Sequence, residues 1–329
     1  AGVGSARWAV VACWLNPAML MGGPVLGYRD TLFVLPLAGA LLCAAGGTAV
    51  AAGALFAAAV LTKPQAAVVL PALALAVWNS GAPAARFARL ARAAAGGLVG
   101  SAAVLAPVVA AGAWWNMLNA LESITRHDML SGNAPNLWWV VGYLMRAWYS
   151  TADMGAWAAY TTPTKILAIS RVVELGYPNP RVVGAALAGA TMLWGTWAAR
   201  RARGPALACA AGAFMVHAYA TLSAQVHENH LFAAVPLLVV AAAVHRRLRP
   251  LLWTLSAVFA VNLNAFYGIS EYMDGWAIPR TVTVVDLTVW LSLVNCAALA
   301  WHAALLQREC RDAQQGANAP ETLPGTTSF

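Results

Sequence analysis

Two histidines and a glutamate interrupt apolar sequence in "LSAQVHENHLFAAVPLL", Leu222 to Leu238. Three other stretches mix ionisable and amide side chains in the same way: "GYRD" at Gly27–Asp30, "LTKPQ" at Leu61–Gln65, and "ESITRHDMLSGNAPNLWW" from Glu122 to Trp139. Carboxylates with amides suit hydroxyl-rich ligands, and Lys and Arg suit phosphate, Arg in a bidentate fashion. His227 and His230 are three apart, a spacing that would put them on one helix face. The order "H-E-N-H" lacks the "H-E-x-x-H" spacing of a zinc-protease helix, so that chemistry is excluded. Each stretch also has a plain structural reading. Arg29 and Asp30 fit a hydrated loop pair, and Lys63 fits an anchor reaching for the interface. Asn133, Pro135 and Asn136 fit a turn, and Trp138 and Trp139 fit an interfacial aromatic belt.

The elements that must position these residues are set by composition. The chain of 329 residues is 61% hydrophobic and 10% charged, with a mean hydropathy of +0.65. A soluble domain carries roughly 25% charged residues. Apolar runs of about 20 residues recur along the sequence, and none shows strand alternation. We therefore expect an all-α, polytopic transmembrane bundle of about ten spans, near 8–26, 31–46, 48–62, 65–79, 93–113, 181–199, 205–224, 231–245, 250–268 and 281–306. Residues 114–180 read as an extracytoplasmic loop or interfacial-helix segment. Within it, 137–150 fits a span, a re-entrant turn or a surface helix. The tail 307–329 reads as disordered and cytoplasmic. Cys13, Cys43, Cys209, Cys296 and Cys310 have neither disulfide-framework nor metal-site spacing.

Charge predicts orientation. Arg7, "RFARLAR" (86–92), "RRAR" (200–203), "HRRLR" (245–249), Arg308 and Arg311 fall at one end of the expected spans, with only Glu309, Asp312 and Glu321 among them. The positive-inside rule makes that end cytoplasmic, in a bacterial inner membrane by this reading. The polar stretches then share the extracytoplasmic end. Gly96 and Gly100 have the spacing that lets helices approach closely, Asn262 and Asn264 read as interhelical hydrogen-bonding groups, and Asp286 reads as an outer-end residue.

Taken in order, "LNPAMLMGGPVLGYRDTLFVL", "AVLTKPQAAVVLPAL", "SGNAPNLWWVVGYL" and "QVHENHLFAAVPLL" resemble the GT-C superfamily of membrane glycosyltransferases that use polyprenyl-phosphate-linked sugars. The likeness lies nearest the bacterial glucosyl- and mannosyltransferases and covers residues 14–240. Those families carry an Asn-Pro followed by a polar "GQxD" or "QYN" element, a "TKP" or "KQ" loop, an "AxNxW" helix entry, and a "VHE" or "HER" element. The matching positions are Asn16, Pro17, Gly27 and Asp30; Lys63, Pro64 and Gln65; Asn133, Ala134, Asn136 and Trp138; and Val226, His227 and Glu228. Tyr28 stands where glutamine is usual, and Asn229-His230 replaces a basic-aromatic pair.

The resemblance implies inverting transfer of a hexose from a polyprenyl-phosphate donor to an acceptor hydroxyl at the extracytoplasmic face. Lys63, Arg126 and His227 would hold the lipid phosphate. Glu228 would orient His227 or bind sugar hydroxyls, and Asp30 and Asp128 would position acceptor or donor hydroxyls. Trp138 would offer a stacking face, Asn133 and Asn136 would brace the loop, and Tyr28, Gln65 and His230 would complete the substrate-binding set. In that superfamily the catalytic aspartate lies in a loop after the first span. The chain opens "AGVGSARW", so the resemblance implies an N-terminally truncated sequence whose base lies upstream of residue 1. The expected partners are the lipid-linked donor, a lipid or glycan acceptor and the surrounding lipid, with no nucleic acid. That chemistry requires no cofactor, and a divalent metal stays an open alternative. The competing readings are a lipid-linked glycan flippase or ligase, a secondary transporter and a structural membrane subunit. A transporter predicts charges at span centres and related halves, and the sequence has neither.

Overall fold

The computed structural model describes residues 3–125, 127–154, 163–268 and 277–318. Helices dominate: α1 Val3–Trp14, α2 Pro17–Leu20, α3 Asp30–Ala45, α4 Ala49–Thr62, α5 Leu70–Asn79, α6 Arg86–Ala110, α7 Trp114–Thr125, α8 Leu137–Met154, α9 Ile169–Glu174, α10 Pro180–Ala198, α11 Pro205–Leu222, α12 Ala234–Val244, α13 Arg249–Tyr267 and α14 Leu287–Asn318. Four helical stretches are long and apolar enough to cross a membrane: Pro83–Ala110, Pro205–Leu222, Arg246–Tyr267 and Leu287–Gln315. Gly4–Trp14 and Pro17–Val25 together make a fifth, bent by 45°. The bend follows from Asn16. Its Oδ1 accepts from the amides of Ala18 (2.9 Å) and Met19 (3.3 Å), starting a new helix at Pro17, while its Nδ2 donates to Ser256 Oγ on α13 (2.7 Å).

Shorter apolar helices occupy four more of the expected spans, Asp30–Ala45, Ala49–Thr62, Pro64–Asn79 and Glu228–Val244, while the expected span 181–199 is the helix Pro180–Ala198, which is not among the helices apolar enough to cross. α3 and α4 form a hairpin, so Asp30 at the start of one and Lys63 at the end of the other lie at the same end of the bundle. α6 crosses α4 at glycine contacts. A Cβ on Gly96 would lie 2.0 Å from the Val50 carbonyl oxygen, and one on Gly53 would lie 1.8 Å from that of Ala93. Only residues without side chains permit that approach.

α11 is the buried centre. Its Ala- and Gly-rich sequence packs against α3, α5, α10, α12 and α14. Its histidine, His217, meets His302 (Nδ1–Nδ1 3.2 Å) and Asn295 Oδ1 (3.2 Å) on α14. Asn295 Nδ2 in turn donates to Thr221 Oγ1 (2.9 Å) and the Pro135 carbonyl (2.8 Å). This chain of bonds ties α11 and α14 to the turn that opens α8.

Two expectations need correction. α14 continues to Asn318, so residues 307–318 of the expected disordered tail are helical. The reason is pairing at the arginine-rich end, where Glu309 accepts from His245 (2.7 Å) and Asp312 from Arg247 (2.5 Å). Residues 319–329 lie outside the described residues. The last expected span, 281–306, starts later than expected, at Leu287, because Asp286 caps it. Asp286 Oδ1 accepts from Thr288 N (2.9 Å) and Thr288 Oγ1 (2.7 Å), and its other oxygen accepts from Arg280 (2.5 Å) and from Thr164 N (2.6 Å). Asp286 is thus a buried clamp at the start of α14.

Candidate functional site

The four polar stretches meet at one end of the bundle. Lys63 Nζ forms an ion pair with Asp30 Oδ1, and Asp30 is 2% exposed. Lys63 is placed by a break in the chain: α4 ends at Thr62, Lys63 is extended, and Pro64 opens a 3₁₀ turn running to Val69. The second Asp30 oxygen accepts from Asn229 Nδ2 at 3.1 Å, which brings in the histidine stretch. The Tyr28 hydroxyl donates to Glu228 Oε1 at 2.8 Å, a second bond between the first stretch and the fourth.

The third stretch joins through backbone. Ser131–Gly132 (β1) pairs in parallel with Val226–His227 (β2), with Gly132 opposite His227. A Cβ on Gly132 would lie 2.6 Å from His227 Nδ1, so the glycine makes room for the imidazole. Asn133 takes a left-handed backbone (φ 58°), a conformation that asparagine tolerates better than most residues. Its carbonyl accepts from Asn262 Nδ2 (2.9 Å) and its amide donates to the Tyr267 hydroxyl (3.4 Å). α13 therefore also reaches the cluster.

Three imidazoles line up here. The His127 and His227 rings are 5.5 Å apart, and those of His227 and His230 are 5.8 Å apart. The sequence spacing predicts a shared helix face, whereas His227 lies in β2 and His230 in the following 3₁₀ turn. His230 stacks on Tyr219 at 5.8 Å. Glu228 Oε2 lies 4.0 Å from His227 Nδ1. Burial lowers the His227 pKa below its ordinary value; Glu228 opposes that, and His127 and Lys63 add to it. His227 is then a neutral donor or acceptor near pH 7 rather than a cation. Burial, and then the bond to Glu228, raises the Tyr28 pKa, keeping the phenol protonated.

Three of the eight buried side-chain polar atoms without partners among the described residues lie in or beside this cluster. They are Gln65 Nε2, two residues past Lys63, Asn229 Oδ1 and His230 Nδ1. A buried polar atom left unpaired costs about 1–3 kcal/mol, so such atoms are expected where a ligand or water supplies the partner.

Tyr28, Asp30, Lys63, His227, Glu228 and His230 thus come together, with Gln65 beside them. Two sequence candidates are spent elsewhere. Trp138 is buried against Leu130, Ile169 and Val172, and its indole donates to the Leu222 carbonyl (2.7 Å), leaving no open stacking face. Asp128 opens α9, accepting from Ser170 N (2.9 Å) and Ser170 Oγ (2.5 Å), bonds that lower its pKa. Asn136 caps α8 by accepting from Trp139 N (2.9 Å), a bracing role, as expected. Arg126 lies outside the described residues. Asn229 and Tyr267 are additions to the sequence reading. Asn229 stood inside the opening stretch and could have been included for its amide, whereas Tyr267 gave no local signal.

Among the described residues no three His, Cys, Asp or Glu side chains are grouped to hold a metal. The cluster combines a paired lysine, two carboxylates, amides and imidazoles, a set able to bind hydroxyls and to donate to an anionic oxygen. No family model, curated protein or solved structure matches the chain.

Proposed function

We propose that the protein is an inverting hexosyltransferase of GT-C type, a bundle of about ten spans that uses a polyprenyl-phosphate-linked sugar at the extracytoplasmic face of a bacterial inner membrane. One observation carries the reading. Three stretches far apart in sequence converge on the Asp30–Lys63–Asn229 contact at one end of apolar helices, and the fourth, Glu122–Trp139, pairs its backbone beside His227. An isoprenoid-anchored sugar presents its polar head at that depth, with its tail in lipid.

The roles follow from charge. Asp30, Glu228 and the unpaired Gln65 Nε2 and Asn229 Oδ1 suit sugar hydroxyls. Lys63, with N–H donation from His227 and His230, stabilises charge on the departing phosphate. In the transfer the acceptor oxygen attacks the anomeric carbon, the bond from that carbon to the phosphate oxygen breaks, and polyprenyl phosphate leaves with the electron pair. A general base accepts the hydroxyl proton. With a single displacement the anomeric configuration inverts.

The test uses membranes containing the full-length protein, a panel of polyprenyl-phosphate hexoses and detection of labelled product. Transfer from one donor, lost in His227→Ala at equal folded protein, is the expected result. Donor turnover unchanged in that variant removes His227 from the mechanism. Movement of donor across the membrane without transfer supports the flippase reading instead.

A further inference from the structure

At the opposite, arginine-rich end, the turn Arg203–Gly204 separates two crevices. One, of about 320 Å³, has Asn79, Ser80 and Arg203 among its lining residues and lies between α3, α5, α10 and α11. The other, of about 480 Å³, is walled by Ala9, Val240 and Val244 of α1 and α12 and again bounded by Arg203. Arg203 is exposed and, among the described residues, has no hydrogen-bond or ion-pair partner. Two nearby arginines are committed, and Arg201, also exposed and unpaired among the described residues, lines neither crevice. Arg89 donates to the carbonyls of Val77 (3.1 Å), Trp78 (2.9 Å) and Ala82 (3.0 Å), and Arg200 stacks on Trp197 (4.4 Å). No carboxylate lines either crevice. His245 borders the second, but its Nδ1 is bonded to Glu309 (2.7 Å).

We propose that these crevices bind an anionic phospholipid, its phosphate on Arg203 and an acyl chain against the Ala9–Val240–Val244 wall. The uncommitted guanidinium selects an anion and offers bidentate bonds to phosphate. The apolar wall selects hydrocarbon, and a basic pocket between helices near a membrane surface is where lipid headgroups are held. Free phosphate would use the cation and leave the wall uncovered. The site is separate from the Asp30–Lys63 cluster and independent of glycosyl transfer.

The test is native mass spectrometry and thermal melting of the full chain in neutral detergent, with phosphatidylglycerol, phosphatidylcholine or inorganic phosphate added. Phosphatidylglycerol is expected to stay bound and raise Tm, and phosphatidylcholine and phosphate to do neither. Arg203→Gln should weaken phosphatidylglycerol binding about fivefold, the scale of one basic contact at a membrane surface. Val240→Phe, which fills the apolar wall, should weaken it with Arg203 intact. Arg308→Gln, which removes an exposed charge from α14, should not. Equal binding of phosphatidylcholine would overturn the proposal, as would an Arg308→Gln loss matching that of Arg203→Gln. A phosphate-induced shift equal to that of the lipid would make it a free-anion site and also overturn it.

Discussion

Lys63 reaches Asp30 across the α3–α4 hairpin, and the acid is almost wholly buried while the lysine remains 24% exposed. A pair placed this way is costly to break from one side, because the remaining charge stays where water reaches it poorly. Asp30→Asn should destabilise the protein by about 2–3 kcal/mol, below the full buried-pair value since Lys63 is partly solvated. Thermal melting of Asp30→Asn, Lys63→Met and the double variant checks this. The double variant should recover part of the loss, and a double variant at the sum of the singles would show that the two do not couple.

Gly132 gives a way to move His227 without replacing it. Gly132→Ala places a methyl group 2.6 Å from Nδ1, so the imidazole must leave its present position. Transfer should fall toward the level of His227→Ala while helical content by circular dichroism is kept. Wild-type turnover in Gly132→Ala would mean that the position of His227 is immaterial.

The Tyr28–Glu228 bond is a neutral donor on a carboxylate. Tyr28→Phe removes the donor and leaves a buried oxygen one bond short, an expected cost of about 1–3 kcal/mol. A melt indistinguishable from wild type would place a water or another donor on Glu228.

The lowered pKa of His227 makes a signed prediction. The folded protein resists a proton that the unfolded chain accepts, so this residue's contribution falls as pH drops below the ordinary value of 6.5. It stops falling once pH is below the folded value. His227→Asn should therefore lose less stability than wild type between about pH 7 and about pH 5. Parallel Tm curves for the two proteins over that window would refute the assignment.

At the α4–α6 crossing, Gly96→Ala sets a methyl group 2.0 Å from the Val50 carbonyl oxygen, so the helices must separate. Overpacking of this kind costs about 1–3 kcal/mol. The melt should drop accordingly, with transfer per folded molecule kept, because the crossing is not part of the cluster. A melt equal to wild type would show that α6 moves freely on α4.

Several features were legible in the amino-acid order because they depend on local properties. Hydropathy summed over a window marks apolar helices, and residues such as Asn16-Pro17 and Lys63-Pro64 break them wherever the chain later packs. That sufficed to mark the stretches around Asp30, Lys63, Asn133 and His227 as the polar breaks. Which of their side chains meet was decided only by tertiary structure. Helices such as α4 and α12 are apolar all round, so no face of theirs announces its neighbour. The bonds that assemble the cluster, Tyr28 to Glu228 and Asn229 to Asp30, join residues about two hundred positions apart. The same packing took Trp138 into the core and gave Asp128 to α9, since a buried indole N–H and an open helix start each need a partner. Local order thus determined where the chain turns polar, and long-range packing decided which polar groups stay available to a ligand.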